Sequence, residues 1–215
     1  MKKFHKAGAA RLFLSATVFL AACGSSGGSS DTTVAVETTI TETTIAEATY
    51  PVTVGDLTLD AQPVRIVSLS PTATEMLYAI GAGDQVVAVD DYSNYPQEAV
   101  ALGTALSGYE PNVEAISGYT PDLVVISYDP GGLVDQLKSL GIPVYIGAAA
   151  SSFDNVYEQI EQLGALTGHT AEAVQLSSQL QADIGAAVAD VTMPDTPLSY
   201  YYELDNTYYS VTSNT

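Results

Sequence analysis

The stretch RIVSLSPTATEMLYAIGAGDQVVAVDDYSNYP, Arg65 to Pro96, changes its apolar period twice. Ile66, Val67 and Leu69 form a short apolar run, as a buried strand does. Ser70-Pro71 stops it, and Thr72 with Glu75 fits a capping box at a helix start. Ala73, Met76, Leu77 and Ile80 then follow at i, i+3, i+4 and i+7, one apolar helix face. Gly81 and Gly83 end the helix, and Val86, Val87 and Val89 make a second strand. A strand–helix–strand unit of this size predicts two parallel neighbouring strands. Asp90 to Pro96 follows the second strand, at the carboxyl edge of the sheet, where open α/β sheets bind ligands. Asp90 and Asp91, adjacent in an extended segment, point to opposite sides, which argues against a shared catalytic proton.

The pattern extends both ways. Upstream, Val52–Val54 and Leu57–Leu59 flank Gly55-Asp56, a two-residue hairpin. Downstream, Asn112 caps a short helix from Val113, and Leu123–Ile126 is a buried strand. Gly131 to Leu140 reads as a helix with Leu133, Leu137 and Leu140 on one face, and Val144–Ile146 as the next strand. Alternating strands and helices imply a parallel sheet covered on both faces. Phe153, Val156, Tyr157, Ile160 and Leu163 keep helical spacing, Gly164 and Gly168 weaken the run, and Thr170 starts another helix reaching about Val191. His169 falls in the break between them and is expected to face solvent. Leu198–Leu204 and Tyr208–Val211 read as two further strands.

The amino terminus reads differently. Lys2, Lys3, Lys6 and Arg11 precede an apolar run from Leu12 to Ala22, a secretory signal too short for a permanent span. Leu20-Ala21-Ala22-Cys23-Gly24 looks like a bacterial lipobox, with cleavage before Cys23 and a diacylglyceryl group on its sulfur. Gly24 to Thr49 is low in complexity, with Glu-Thr-Thr-Ile at 37–40 and 42–45, a flexible tether spanning roughly 25–30 Å as a coil. Cys23 is the single cysteine, which excludes an internal disulfide.

Charge narrows the partners. The chain carries 25 acidic and 6 basic residues. Signal removal leaves Arg65 and Lys138 against all 25 acids, a formal charge of −23. Such a chain repels phosphate backbones and anionic headgroups, so nucleic acid is excluded and membrane contact is left to the lipid. The mature chain retains one histidine, His169, too few for a His-rich metal-ion site. Gly-x-Ser-x-Gly, His-Glu-x-x-His and Walker motifs are absent, which disfavours an enzyme.

The ordered set RIVSLSPTATEMLYAIGAGDQVVAVDDYSNYP, YEPNVEAIS, PDLVVIS and LGIPVYIG closely resembles the substrate-binding proteins of bacterial ABC importers for vitamin B12, iron–siderophores and haem, from about Tyr50 to Thr215. The resemblance implies a two-lobed periplasmic-binding fold, each lobe a parallel sheet covered by helices, joined by a long rigid helix. The organisation then reads as signal 1–22, lipidated Cys23 and linker 23–49, first lobe 50–150, helical spine 151–193, and the start of a truncated second lobe 194–215. Tyr92, Tyr109 and Tyr128 each follow positions at the carboxyl edge. In vitamin B12-binding members, aromatic pocket residues match Tyr92 and Tyr128, and Tyr109 lies one place from a third. Glu114, at the second position of the Asn112-capped helix, matches a glutamate that docks onto permease arginines.

The implied function is capture of a metal-chelate nutrient, a corrinoid first, with a ferric hydroxamate or haem as alternatives. The chelate is a ligand, with no cofactor. The protein is expected to be a monomer, extracytoplasmic, lipid-anchored and partnered with an ABC permease. An enzyme on the same fold and a tethered adhesion or scaffold domain are the remote alternatives.

Overall fold

A computed structural model of the chain describes residues 49–192 except Ala105, with Asp195, Thr196 and Ser199. The signal, Cys23, nearly all of the linker, and the strands expected at Leu198–Leu204 and Tyr208–Val211 lie outside the described residues.

The hairpin forms as expected: β1 (Val52–Val54) pairs antiparallel with β2 (Leu57–Leu59), and Gly55 turns at φ +55°. The central sheet comprises β3 (Ile66–Leu69), β4 (Val86–Val89), β5 (Leu123–Ile126) and β6 (Val144–Ile146), in the order β4-β3-β5-β6, with every pair parallel. Among the described residues, six α-helices accompany the sheet: α1 (Pro71–Ala79), α2 (Gln97–Ala101), α3 (Val113–Ser117), α4 (Leu133–Ser139), α5 (Phe153–Thr167) and α6 (Thr170–Val188).

Alternation along the strands divides the core in two. Ile66, Leu123 and Val125 face Leu77 of α1, Ile80 at its C-cap, and Leu163 and Leu166 of α5. Val67, Val124 and Ile126 face Ile116, Leu133 and Leu137 of α3 and α4. Successive side chains of a strand point to opposite faces, so strands apolar at every position need a cover on both sides. Each fully buried leucine or isoleucine contributes about 1.5–3 kcal/mol through removal of apolar surface from water.

Three local expectations are corrected. The start of α1 is capped by Ser70, whose Oγ accepts from the Ala73 N–H, and Thr72 and Glu75 are exposed. Pro71, lacking an N–H and preset in φ, takes the first helical position and moves the cap one residue ahead of it. Leu140 does not share the face of Leu133 and Leu137, and is 56% exposed. Helix α4 ends at Ser139, where Gly141 turns left-handed at φ +74° and the Gly141 and Ile142 N–H groups donate to the Lys138 and Leu137 carbonyls. That Schellman closure carries Leu140 off the helical face and leaves Ile142 half-buried against the core. His169 is half-buried rather than solvent-facing. Its Nδ1 donates to the Thr167 carbonyl at 3.0 Å, and its ring lies over Gly81, the left-handed glycine that closes α1.

The interval expected to hold the spine contains two helices. Helix α5 covers the sheet beside α1, and α6 runs back along it, antiparallel: Gly164 meets Ala173, and Ser177 Oγ donates to the Tyr157 carbonyl. Among the described residues, no helix is long and apolar enough to cross a membrane.

Candidate ligand-binding site

All the loops that matter leave the carboxyl ends of β3, β4 and β5. Ser70-Pro71 follows β3, Asp90 to Tyr95 follows β4, and Ser127-Tyr128 follows β5. A parallel bridge between Asp90 and Leu106 brings a fourth segment, Ser107 to Glu110, to the same edge. The Ser107 hydroxyl shapes that segment by accepting from the N–H groups of Tyr109 and Glu110.

The three predicted tyrosines meet there. Tyr92 and Tyr109 stand edge to face with ring centroids 5.6 Å apart, and Tyr109 and Tyr128 are tilted at 6.4 Å. They are 58%, 65% and 44% exposed respectively, so each ring leaves a wide face to solvent. Together with Leu69, Pro71, Asp90, Gly108 and Ser127 they line a cleft of about 270 Å³. Gly108 is required by close approach: a Cβ there would stand 2.9 Å from the Leu69 carbonyl oxygen and 3.2 Å from Asp90 Oδ2.

Beneath the tyrosines lies a polar floor that sequence reasoning missed. Ser68, Thr74, Asp90 and Ser93 are all buried. Thr74 Oγ1 is 2.8 Å from Ser68 Oγ and 2.9 Å from Ser93 Oγ, and Ser93 Oγ makes a short contact with Asp90 Oδ1. Burial pushes the Asp90 carboxyl above its ordinary value; the Ser93 hydroxyl pulls it back and Asp91 pushes it further up. Asp91 is exposed, so the two acids do point apart. The available signal was Thr74, a polar residue inside the buried arc of α1 between Ala73 and Met76.

The remaining candidates lie elsewhere. Glu114 is exposed at the second position of α3, whose cap is Asn112 Oδ1 accepting from the Ala115 N–H. Arg65 sits at the amino end of β3, donating to the Tyr119 and Thr120 carbonyls, and Lys138 is exposed in the last turn of α4. Among the described residues, no basic side chain lines the tyrosine cleft. A larger cavity of about 690 Å³ lies beside α1, lined by Glu75, Tyr78, Asp84, Tyr95 and Glu98. The smaller cleft is the better candidate because it sits where strands of an open parallel sheet end and aromatic faces converge.

Residues 66–215 match the model of a protein family described as periplasmic binding protein. The chain belongs to that family. It is 37% identical over 166 residues to a cobalamin-binding protein of Halobacterium salinarum, covering 71% of this chain and 44% of that one. It is 34% identical over 188 residues to the ABC transporter substrate-binding lipoprotein YvrC of Bacillus subtilis, covering 86% of this chain and 58% of that one. Among solved structures, the periplasmic vitamin B12 binding protein BtuF of Vibrio cholerae superposes with a TM-score of 0.56 at 30% identity, over 66% of this chain and 56% of that one. The chain thus spans about half the length of the curated relatives it matches. Those relatives are named for binding rather than for catalysis.

Proposed function

We propose that this chain carries the first lobe of an extracytoplasmic substrate-binding protein that captures a corrinoid and delivers it to an ABC permease. The observation that carries this reading is the convergence of Tyr92, Tyr109 and Tyr128 over a cleft that no basic side chain lines among the described residues. Aromatic walls bury much area of a flat macrocycle at little rotamer cost. Strongly anionic ferric catecholates call for arginine or lysine, and Arg65 and Lys138 are placed elsewhere. In the same reading, Cys23 holds the lipid anchor, Glu114 meets the permease, and α6 is the spine. The test is titration of the full chain with cyanocobalamin, a ferric hydroxamate and haemin, followed by tyrosine fluorescence. Saturable binding with cyanocobalamin tightest is expected. Binding of haemin or the hydroxamate alone overturns the corrinoid assignment, and binding of none overturns the site.

A further inference from the structure

Tyr92 is carried on a tight turn, and the turn is held from below. The Ser93 N–H donates to the Asp90 carbonyl at 3.2 Å, closing a four-residue turn with Asp91 and Tyr92 at its centre. The backbone ties down its first half: the Asp90 N–H donates to the Ser68 carbonyl at 3.0 Å, and the Asp91 N–H to the Leu106 carbonyl at 2.9 Å. Side chains tie down its last residue. Ser93 Oγ, buried, donates to Asp90 Oδ1 and lies 2.9 Å from Thr74 Oγ1. Thr74, fully buried on α1, is also 2.8 Å from Ser68 Oγ of β3.

A helical threonine commonly returns its hydroxyl to the carbonyl one turn back. Here the Ser70 carbonyl takes the Thr74 N–H at 2.8 Å, and Thr74 Oγ1 reaches out of the helix to the loop after β4. We propose that Thr74 is a positioning residue for the ligand cleft. Acting through Ser93, it holds the Asp90–Ser93 turn so that the Tyr92 ring stands against Tyr109 before a ligand arrives. This rests on the tyrosine cleft being the ligand site.

The rings need such a support. Tyr92 and Tyr109 meet edge to face, yet both are largely exposed, so little packing holds them and the backbone beneath sets where they stand. The same turn supports the facing ring. Asp90 bridges to Leu106, and the Gly108 backbone lies close against Asp90 Oδ2, one residue before Tyr109. A wall built in advance spares the ligand the cost of ordering it. With the turn released, only the molecules that have Tyr92 in place bind, and the apparent affinity falls by that fraction.

A double-mutant cycle on the full chain tests this. The probe is whichever of cyanocobalamin, a ferric hydroxamate and haemin binds wild type tightest. Thr74→Val keeps the shape of the side chain and removes its hydroxyl. It should bind roughly five- to tenfold more weakly, the population shift that one lost hydrogen bond produces. Thr74→Ser restores the hydroxyl and should bind within about twofold of wild type. In a Tyr92→Ala background, Thr74→Val should cost less than about twofold, because the ring it positions is gone. A general loosening of the lobe would weaken binding alike in both backgrounds, so equal losses overturn the proposal. Wild-type affinity in Thr74→Val overturns it too, as does Thr74→Ser binding as weakly as Thr74→Val. Should Thr74→Val not fold, Ser93→Ala removes the same contact from the loop side and is read by the same cycle. Failure of wild type to bind any of the three probes overturns the cleft and the positioning role together, whereas the other adverse outcomes overturn the role of Thr74 alone.

Discussion

At the scale of single residues, the site separates energy from stability. Tyr92 and Tyr128 sit on loops with their rings largely exposed, so the fold buries little through them. Tyr92→Ala or Tyr128→Ala should weaken ligand binding by about 1–3 kcal/mol, as loss of an aromatic anchor does. The melting temperature without ligand should barely move. Titration showing unchanged affinity in both variants would sink the aromatic wall. Asp90 behaves in the opposite sense, because it is buried in the fold itself. Its carboxyl is raised above the ordinary value of 3.8, so the native state holds the proton more tightly than the unfolded chain. Its contribution is fully present below the unfolded value and is lost as pH rises through the folded value. Urea midpoints of wild type minus Asp90→Asn should therefore fall with rising pH above about 3.8. Parallel pH curves for the two proteins would refute this.

At the scale of elements, the contact between α5 and α6 depends on one missing methyl group. A Cβ at Gly164 would overlap the Ala173 Cβ and stand 2.9 Å from the His169 carbonyl oxygen. Helix α5 runs through Gly164 despite the helix-weakening cost of glycine, about 1 kcal/mol against alanine, because the close crossing repays it. Gly164→Ala should thus destabilise the lobe by about 1–3 kcal/mol, the cost of overpacking, although alanine is the better helix former. Chemical denaturation measures the loss, and adding Ala173→Gly should recover part of it. A stabilised Gly164→Ala protein would show that the crossing relaxes freely.

At the scale of the whole molecule, the proposals concern docking and anchoring. Glu114 is exposed on a five-residue helix whose apolar contacts with the core are made by Ile116 and the half-buried Val113. As a mere helix-start residue, its carboxylate is worth about 0.3–1 kcal/mol through the helix dipole. As a docking residue, Glu114→Arg should cut uptake and transporter-stimulated ATP hydrolysis while ligand affinity stays near wild type. The contact should weaken as salt rises. Docking at low salt equal to wild type would leave Glu114 a helix-start residue. Cys23→Ala should leave the protein unlipidated, and a variant that stays membrane-bound after complete signal removal would end the lipid-anchor reading, since stable anchoring takes two acyl chains.

The sequence by itself determined the elements around which everything else is arranged. The change from runs of apolar residues to helical spacing placed all four parallel strands, α1 and the hairpin, because burial enforces those periods locally. Strand order then put Tyr92, Tyr109 and Tyr128 on one edge, since every parallel strand ends on the same side. Closures that turn on backbone geometry were less legible: Ser70 displaced Thr72 as the cap, and Gly141 carried Leu140 off its face. Only the tertiary structure joined Ser68, Thr74, Asp90 and Ser93, which come from a strand, a helix and a loop. Their contacts depend on distances between oxygens on separate elements, and no local pattern encodes a distance across the fold.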